Sequence, residues 1–281
     1  MKLLSCEYKG ETFAAVSDGK KAYKAAPDMY ALLDRLEGAL PGPELLAGEG
    51  IDLGELRLLA PIPEPRQDVI CLGMNYRDHA EESARYSADA FTKNSTAAVY
   101  FSKRVSEAGK PDGVIPRHAG LTDRLDYEAE LAVVLGKAAR DVKAADAADY
   151  IFGYTILNDV SARDLQTGHK QWYFGKSLDG FTPMGPVLVT ADEIAYPPAL
   201  EITSRVNGEL RQKSNTALLI TSIGQILEEL TGGMTLLPGT IIATGTPAGV
   251  GMGFDPPRFL QSGDTVECAI EGIGTLCSTV I

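Results

Sequence analysis

Residues 126–135 read Asp-Tyr-Glu-Ala-Glu-Leu-Ala-Val-Val-Leu, and this stretch decides how the sequence folds. Its second half is a run of aliphatic and β-branched residues, which favours a strand. On a strand alternate side chains point to the same side, so Asp126, Glu128 and Glu130 are predicted to share one face. That face is either a solvated sheet edge or a group of carboxylates gathered around a cation.

A second acidic position follows another predicted strand. Residues 151–157 are apolar and β-branched, and Asp159 comes directly after them. If the two strands are neighbours, Glu128, Glu130 and Asp159 supply three oxygen ligands. Carboxylate oxygens without cysteine suit Mg²⁺ or Mn²⁺ and disfavour zinc.

Working outward, the rest of the chain is predicted to be mostly strand with short helices. The strongest further strand signals are residues 68–72, 97–102, 187–190, 202–206, 240–244 and 265–270. Helices are predicted at residues 29–36 and 221–230, and Asn207-Gly208 predicts a hairpin turn. Strands do not alternate regularly with long helices, which disfavours a doubly wound sheet or an eight-fold barrel. The fold class is therefore α+β, mostly β, with a rolled or sandwiched mixed sheet.

A proline-rich connector divides the chain. Pro61, Pro63 and Pro65 each fix their own φ and bias the preceding residue away from helix. Before them, residues 3–8, 12–16 and 20–24 are predicted strands. Residues 1–62 are predicted to form a small N-terminal domain that packs on a larger domain, residues 66–281.

Composition excludes several classes of protein. The 281 residues contain 26 Lys+Arg against 38 Asp+Glu, a net charge of −12, which argues against nucleic-acid binding. No apolar run approaches the ~18 residues of a membrane span, and no secretory leader is evident. The four cysteines form no CxxC pair, which favours reduced thiols in a cytoplasmic protein.

His79 and Glu82 are candidates for proton transfer. If the segment after Gly73 is helical, the two residues are three apart and share a face. A glutamate bonded to one imidazole nitrogen fixes the tautomer and leaves the other nitrogen as a general base. A solvated surface pair is the alternative.

Three further segments carry less specific signals. Residues 166–177 contain Lys176, which either stabilises an anion or belongs to an aromatic loop with solvated charges. Residues 244–253 are dense in glycine but lack the spacing of a nucleotide-binding loop, so they bring backbone close to a substrate or form tight turns. Residues 86–117 are either a flap over a site or a surface excursion that contains one strand.

Taken together, several motifs resemble the fumarylacetoacetate hydrolase family. They lie at residues 73–79, 127–131, 158–166, 175–186, 244–251 and 271–274, in the family's order. The resemblance implies a rolled mixed β structure, a small N-terminal domain and a homodimer. Two departures are the length of residues 86–117 and the absence of the usual Asn-Pro near residues 276–280.

The resemblance also implies roles for individual residues. Glu128, Glu130 and Asp159 match the metal ligands. His79 and Glu82 match a water-activating pair on a lid helix. The groups on the oxyanion side are Lys176 and Gln166, and the substrate-contacting positions are Arg77, Arg163 and Thr246.

These roles imply a metal-dependent hydrolase that cleaves a C–C bond in an acylpyruvate-like 2,4-dioxo acid. A decarboxylase or keto–enol isomerase of a 2-oxo acid, on the same metal site, is the alternative. A non-catalytic protein that binds a metal or ligand is a third interpretation, disfavoured because the candidate catalytic residues are present. The expected partner is a small anionic 2-oxo or 2,4-dioxo acid, since cationic residues lie in the motifs around the acidic group.

Overall fold

The computed structural model describes residues 1–86 and 97–281 of the chain. Within these ranges the chain forms eighteen β-strands and five α-helices, so strands dominate, as predicted. The strands before residue 60 are β1 (Lys2–Tyr8), β2 (Glu11–Ser17), β3 (Lys21–Ala26), β4 (Ile51–Asp52) and β5 (Arg57–Leu58).

The larger part of the chain holds the remaining strands and most of the helices. Its first strands are β6 (Val69–Leu72), β7 (Tyr100–Lys103), β8 (Gly113–Ile115), β9 (Leu125–Asp126), β10 (Ala129–Leu135), β11 (Ile151–Asn158) and β12 (Ser161–Ala162). They are followed by β13 (Met184–Thr190), β14 (Glu201–Val206), β15 (Glu209–Asn215), β16 (Ile241–Ala243), β17 (Thr265–Ile270) and β18 (Gly274–Val280). The helices of the whole chain are α1 (Met29–Leu36), α2 (Arg77–Tyr86), α3 (Arg163–Gly168), α4 (Tyr173–Lys176) and α5 (Ile223–Thr231). Among the described residues, no helix combines the length and the apolar sequence that crossing a membrane requires.

Two sheets carry most of the structure. The larger has eleven strands in the order β4-β3-β2-β1-β13-β11-β10-β16-β6-β7, with β5 added to β1. Most of its neighbours are antiparallel, but β6 and β16 are parallel. The smaller sheet has the order β15-β14-β17-β18-β8, and a short ladder joins β9 to β12.

Strand β10 is buried on both faces, which explains its nearly continuous apolar sequence. Leu131 and Val133 belong to one apolar cluster together with Ile202 of the smaller sheet. On the opposite face, Ala132 belongs to a second cluster with Leu32 of α1. The eleven-stranded sheet is thus packed between a second sheet and a helix. The predicted rolled, sandwiched and mostly β architecture is confirmed.

Local signals in the sequence account for several element boundaries. Asn207 and Gly208 have φ of 51° and 78°, as a two-residue hairpin turn requires, and they join β14 to β15. Helix α1 begins and ends where it was predicted. Helix α5 begins one residue after Ser222, which forms a capping box with Gln225.

The N-terminal strands do not form a sheet of their own. Lys2 and Leu3 of β1 pair with Val189 and Leu188 of β13, so β1 to β5 extend the large sheet at one side. The predicted packing of the first part of the chain on the second therefore includes shared backbone hydrogen bonds. The division into domains between residues 62 and 66 stays a prediction.

The described part of residues 86–117 adds one strand to each of the two sheets. Strand β7 pairs with β6 at the edge of the large sheet, and β8 pairs with β18. The described part from residue 97 onward is thus sheet and loop rather than a closing flap, while residues 87–96 lie outside the described residues. Lys103, at the end of β7, is fully buried.

Candidate active site

Three carboxylates meet where β10 and β11 lie side by side. Ala129 is opposite Asn158 in this pair, and the N–H of Asp159 donates to the carbonyl of Glu128 at 2.8 Å. Carboxylate oxygens of Glu128, Glu130 and Asp159 lie within 4.8 Å of one another, and all three residues are buried. The predicted grouping is confirmed, and the alternative of a solvated sheet edge is wrong.

Asp126 does not join this group. The strand is interrupted at residues 127–128, and β9 pairs with β12 instead of continuing into β10. Because the alternation of faces holds only along a continuous strand, the predicted shared face of Asp126 with Glu128 and Glu130 is wrong. The Asp126 carboxylate instead lies 2.8 Å from Nε of Arg163.

Three buried cations surround the carboxylates. Nζ of Lys176 lies 2.8 Å from Oε2 of Glu128 and 2.7 Å from Oδ2 of Asp159. Nη1 of Arg163 lies 2.6 Å from Oε1 of Glu128. Nζ of Lys103 lies 2.5 Å from Oδ1 of Asp159, although no pattern in the sequence predicts that β7 lies beside this site.

Glu130 differs from its two neighbours because no cation pairs with it among the described residues. Its Oε2 accepts the N–H of Gly245 at 2.8 Å, while its buried Oε1 has no hydrogen-bond partner. Burial, followed by the charges of Asp159 and Glu128, raises the pKa of Glu130 well above its ordinary value. An unpaired carboxylate of this kind is costly unless a positive charge completes it.

Glu128 has the opposite electrostatics. Burial by itself raises the pKa of Glu128, but Lys176, Arg163 and then His79 outweigh burial and hold that pKa well below its usual range. An ionised carboxylate beside the bare oxygen of Glu130 is a donor set that fits a hard divalent cation.

Helix α2 carries the two candidate residues for proton transfer, His79 and Glu82. Nδ1 of His79 lies 3.0 Å from Oε2 of Glu82, and both residues are buried, so the predicted contact three residues apart is present. Glu82 also accepts the N–H of Gly249 at 3.0 Å. With Nδ1 directed at the carboxylate, Nε2 is the nitrogen that can accept a proton.

Asn75 anchors the beginning of this helix, a role that sequence reasoning missed. Its Nδ2 donates to the carbonyls of Thr221 and Thr244 at 3.0 Å and 2.8 Å. Its Oδ1 accepts the N–H of Thr221 at 2.7 Å. One amide thus joins the start of α2 to the end of β16 and to the loop before α5.

The residues predicted on the oxyanion side lie at the edge of the carboxylate group. Oε1 of Gln166 accepts a hydrogen bond from Nη1 of Arg163 at 3.0 Å. Lys176 is held by its two carboxylate contacts, and the nearby negative charges of Asp159 and Glu128 outweigh the effect of its burial and raise its pKa. The structure therefore brings Lys176, Gln166 and Arg163 together with the candidate metal ligands.

The other two predicted substrate contacts are placed differently. Thr246 is buried, and its hydroxyl donates to the carbonyl of Ala129 at 2.9 Å and accepts from Nε2 of Gln212 at 2.7 Å. Arg77 is exposed at the first residue of α2, two positions before His79. Both roles in substrate binding stay predictions.

Residues 68–281 match the family described as fumarylacetoacetate (FAA) hydrolase C-terminal. The chain belongs to the fumarylacetoacetate hydrolase family. The match covers the six motifs on which the resemblance was based, and the resemblance is confirmed. The protein is thus a member of an enzyme family, and its acidic group is placed to hold a metal ion.

Members of the fumarylacetoacetate hydrolase family with different names are similar to this chain. Oxaloacetate tautomerase YisK of Bacillus subtilis (strain 168) is 49% identical over 228 residues, which are 81% of this chain and 74% of that protein. The structure of fumarylacetoacetate hydrolase (EaFAH) from psychrophilic Exiguobacterium antarcticum is 42% identical, with a TM-score of 0.84, and covers 100% of this chain and 99% of that one. Maleylpyruvate hydrolase from Sphingobium sp. SYK-6, solved in complex with manganese(II) ion and pyruvate, is 29% identical, with a TM-score of 0.77 and the same coverage.

Proposed function

We propose that this protein is a divalent-metal-dependent enzyme that interconverts the keto and enol forms of a small 2-oxo dicarboxylic acid, oxaloacetate. The observation that carries the proposal is the buried carboxylate group with its bare Glu130 oxygen, beside the hydrogen-bonded pair of His79 and Glu82. The name of the 49% identical relative supports tautomerisation in particular.

A divalent cation held by Glu128, Glu130 and Asp159 would supply Lewis-acid polarisation of the 2-oxo carbonyl. The candidate ligands are all carboxylates, which favours Mg²⁺ or Mn²⁺, and a solved relative carries manganese. Lys176 contacts Glu128 and Asp159 and favours their ionised, ligating forms.

Arg163 is the group that we assign to the substrate carboxylate. Its guanidinium is buried and fixed at Nε by Asp126, with Gln166 at its side. A guanidinium keeps its charge in a buried site and offers five N–H donors in a fixed plane, which suits an anionic acid better than a lysine would. The net charge of −12 describes the whole chain and does not determine whether this site prefers an anionic substrate.

His79 is the group that moves the proton. Nε2 takes a proton from C3 of the keto acid, and the electron pair of that C–H bond becomes the C2=C3 double bond. The π pair of the carbonyl moves to the 2-oxo oxygen, which takes a proton from water, and the imidazolium returns its proton to the hydroxide that remains. Glu82 holds the imidazole through Nδ1 and stabilises the imidazolium that forms. A general base of this kind contributes about 10²- to 10⁴-fold to the rate.

The decisive experiment follows the enol absorbance of oxaloacetate with purified protein and Mg²⁺. We expect decay faster than the uncatalysed rate, inhibition by EDTA and loss of the acceleration in His79→Gln. Glu81→Gln, an exposed neighbour on the same helix, is the matched control and should keep full activity. An uncatalysed rate at every protein concentration would refute the proposal.

Hydrolysis of a C–C bond in an acylpyruvate is the second candidate, favoured by the contact of His79 with Glu82. The same Nε2 can take a proton from water that attacks the distal carbonyl, with Lys176 and Gln166 close to the site. Two relatives are named as hydrolases. Release of pyruvate from an acylpyruvate without acceleration of oxaloacetate tautomerisation would favour this reaction. Release of CO₂ from oxaloacetate would favour decarboxylation.

A further inference from the structure

The backbone of residues 249–253, hereafter the glycine segment, binds two buried carboxylates that belong to different parts of the site. The N–H of Gly249 donates to Glu82 at 3.0 Å. The N–H groups of Gly251 and Met252 donate to the two oxygens of Asp126 at 2.7 Å and 2.9 Å. Five consecutive residues therefore hold a carboxylate of α2 and a carboxylate of β9.

Each of these carboxylates in turn orients a cationic or basic side chain. Glu82 lies 3.0 Å from Nδ1 of His79, and Asp126 lies 2.8 Å from Nε of Arg163. The two chains of contacts are therefore alike. Each runs from a backbone N–H to a carboxylate and ends at a side-chain nitrogen, Nδ1 of His79 in one and Nε of Arg163 in the other. Charge-assisted hydrogen bonds from backbone N–H groups are short and directional. The position of the backbone therefore determines the position of each carboxylate and of the side-chain nitrogen that it binds.

Glycine is required here because the carboxylates lie against the backbone. A Cβ at Gly253 would lie 2.0 Å from Oε1 and 2.2 Å from Cδ of Glu82. A Cβ at Gly251 would lie 2.7 Å from Oδ1 of Asp126 and 2.4 Å from the carbonyl of Arg258. Gly249 has φ of 103°, which favours glycine for a separate reason.

We propose that the glycine segment is the positioning element of the active site. It holds Glu82 and Asp126, and these two carboxylates orient the base His79 and the substrate-binding Arg163. Asp126, Gly251 and Gly253 are then positioning residues that touch no substrate themselves. The inference rests on the proposed function for the roles of His79 and Arg163, while the contacts themselves do not depend on it.

The first test is Gly253→Ala. The φ of Gly253 lies outside the positive region and its clash is with a flexible side chain, so the substitution should displace Glu82 rather than the fold. We expect kcat to fall by about 100-fold, the effect of misplacing a catalytic group by about 1 Å. We also expect faster amide hydrogen exchange in residues 77–83, while the Kd of oxalate for the Mg²⁺-loaded protein stays unchanged.

Gly233→Ala is the matched control for this variant. Gly233 also lies outside the positive φ region, and a Cβ there would meet no atom within 4 Å. This variant should match the unmodified protein in kcat, in exchange and in oxalate binding. If Gly253→Ala behaves like Gly233→Ala, the proposal is wrong.

The second test is Asp126→Asn, which acts on the other chain of contacts. Met252 and Arg163 both bind Oδ2 of Asp126, and Gly251 binds Oδ1. Asparagine has one oxygen for these donors and no negative charge, so Arg163 loses its charged partner and its fixed orientation. We expect the Kd of oxalate to rise by about 10- to 100-fold, as loss of a hydrogen bond to a charged group predicts. Exchange in residues 77–83 should stay unchanged. If Asp126→Asn is insoluble, Asp126→Glu keeps the charge but displaces the carboxylate that holds Arg163, and it should raise the Kd in the same way.

The proposal requires that the two variants differ in their effects on hydrogen exchange and on the Kd of oxalate. Equal weakening of oxalate binding by Gly253→Ala and Asp126→Asn would mean a general loss of shape and would overturn it. The proposed function fails if the unmodified protein acts on no 2-oxo acid. The positioning roles still stand in that case if hydrogen exchange rises only in Gly253→Ala and oxalate binding weakens only in Asp126→Asn.

Discussion

The active site has two sides that are stabilised in different ways. On the strand side, the carboxylates of β10 and β11 are buried among Lys103, Arg163 and Lys176, in the middle of the eleven-stranded sheet. On the helix side the partners are neutral: the N–H of Gly249 binds Glu82, and the amide of Asn75, two residues before α2, binds the carbonyl of Thr244. Changes on the strand side should therefore disturb the charge balance of the core, whereas changes on the helix side should disturb the placement of His79 and leave metal binding intact.

Asp159→Asn should have the largest effect, because it leaves Lys103 and Lys176 buried beside a neutral amide. Breaking a buried ion pair by removal of one partner costs about 3–5 kcal/mol of unfolding free energy. Mn²⁺ binding should be lost as well. Urea unfolding and the Mn²⁺ EPR signal measure the two effects. The control is Glu201→Gln, which breaks an exposed pair with Lys213 and should change both little.

His79→Gln should lower turnover by about 10²- to 10⁴-fold, since the general base is lost. The unfolding free energy and the affinity for Mn²⁺ should remain those of the unmodified protein. If this variant weakens Mn²⁺ binding as strongly as Asp159→Asn does, the two sides of the site are not independent and the comparison fails.

Asn75→Ala tests the connection between the sides. It leaves the N–H of Thr221 and the carbonyl of Thr244 without their side-chain partner, which predicts a loss of about 1–3 kcal/mol. Hydrogen exchange should become faster at the start of α2, with Mn²⁺ affinity retained. Unchanged exchange in residues 77–83 would show that Asn75 does not anchor the helix.

Glu130→Gln sharpens the comparison within the strand side, with the smallest effect among the variants that are expected to change stability. The Gln oxygen can keep the N–H of Gly245, and its amide can donate to the neighbouring carboxylates where Glu130 has a bare oxygen. In EDTA the variant should be more stable by about 1 kcal/mol, opposite in sign to Asp159→Asn. A destabilised metal-free protein in urea unfolding would contradict this charge balance. Mn²⁺ affinity should still fall.

Much of this structure could be predicted because its signals are local. The apolar runs of β10 and β11 predict strands, the position of Asp159 after β11 predicts its meeting with Glu128 and Glu130, and a spacing of three predicts the contact of His79 with Glu82. The hairpin at Asn207 and the ends of α1 follow from turn and capping chemistry. The order of the motifs along the chain then indicates the fumarylacetoacetate hydrolase family.

The rest depends on contacts between distant segments, for which a single sequence carries no signal. Lys103 reaches Asp159 only because β7 pairs with β6 at the edge of the large sheet. Asp126 leaves the predicted face because β9 pairs with β12. The glycines of residues 249–253 are explained by carboxylates from α2 and β9, which no local pattern places beside them. A strand that ends in a lysine, as β7 does, is the one local hint that points to a buried ion pair.

The parallel pairing of β6 with β16 has a consequence for how the protein is made. Ile70 lies opposite Ile242, and the two strands run in the same direction. The chain therefore leaves both strands at the same end, β6 toward His79 and β16 toward the glycine segment. A ribosome delivers residues in order, so a nascent chain that already carries both His79 and Asp159 still lacks β16 and the segment that orients them. Pairing across such a separation in sequence is slow compared with local contacts. Enzymatic competence should therefore arise only after residue 253 has been made, and a product that terminates before that residue should fold no functional site.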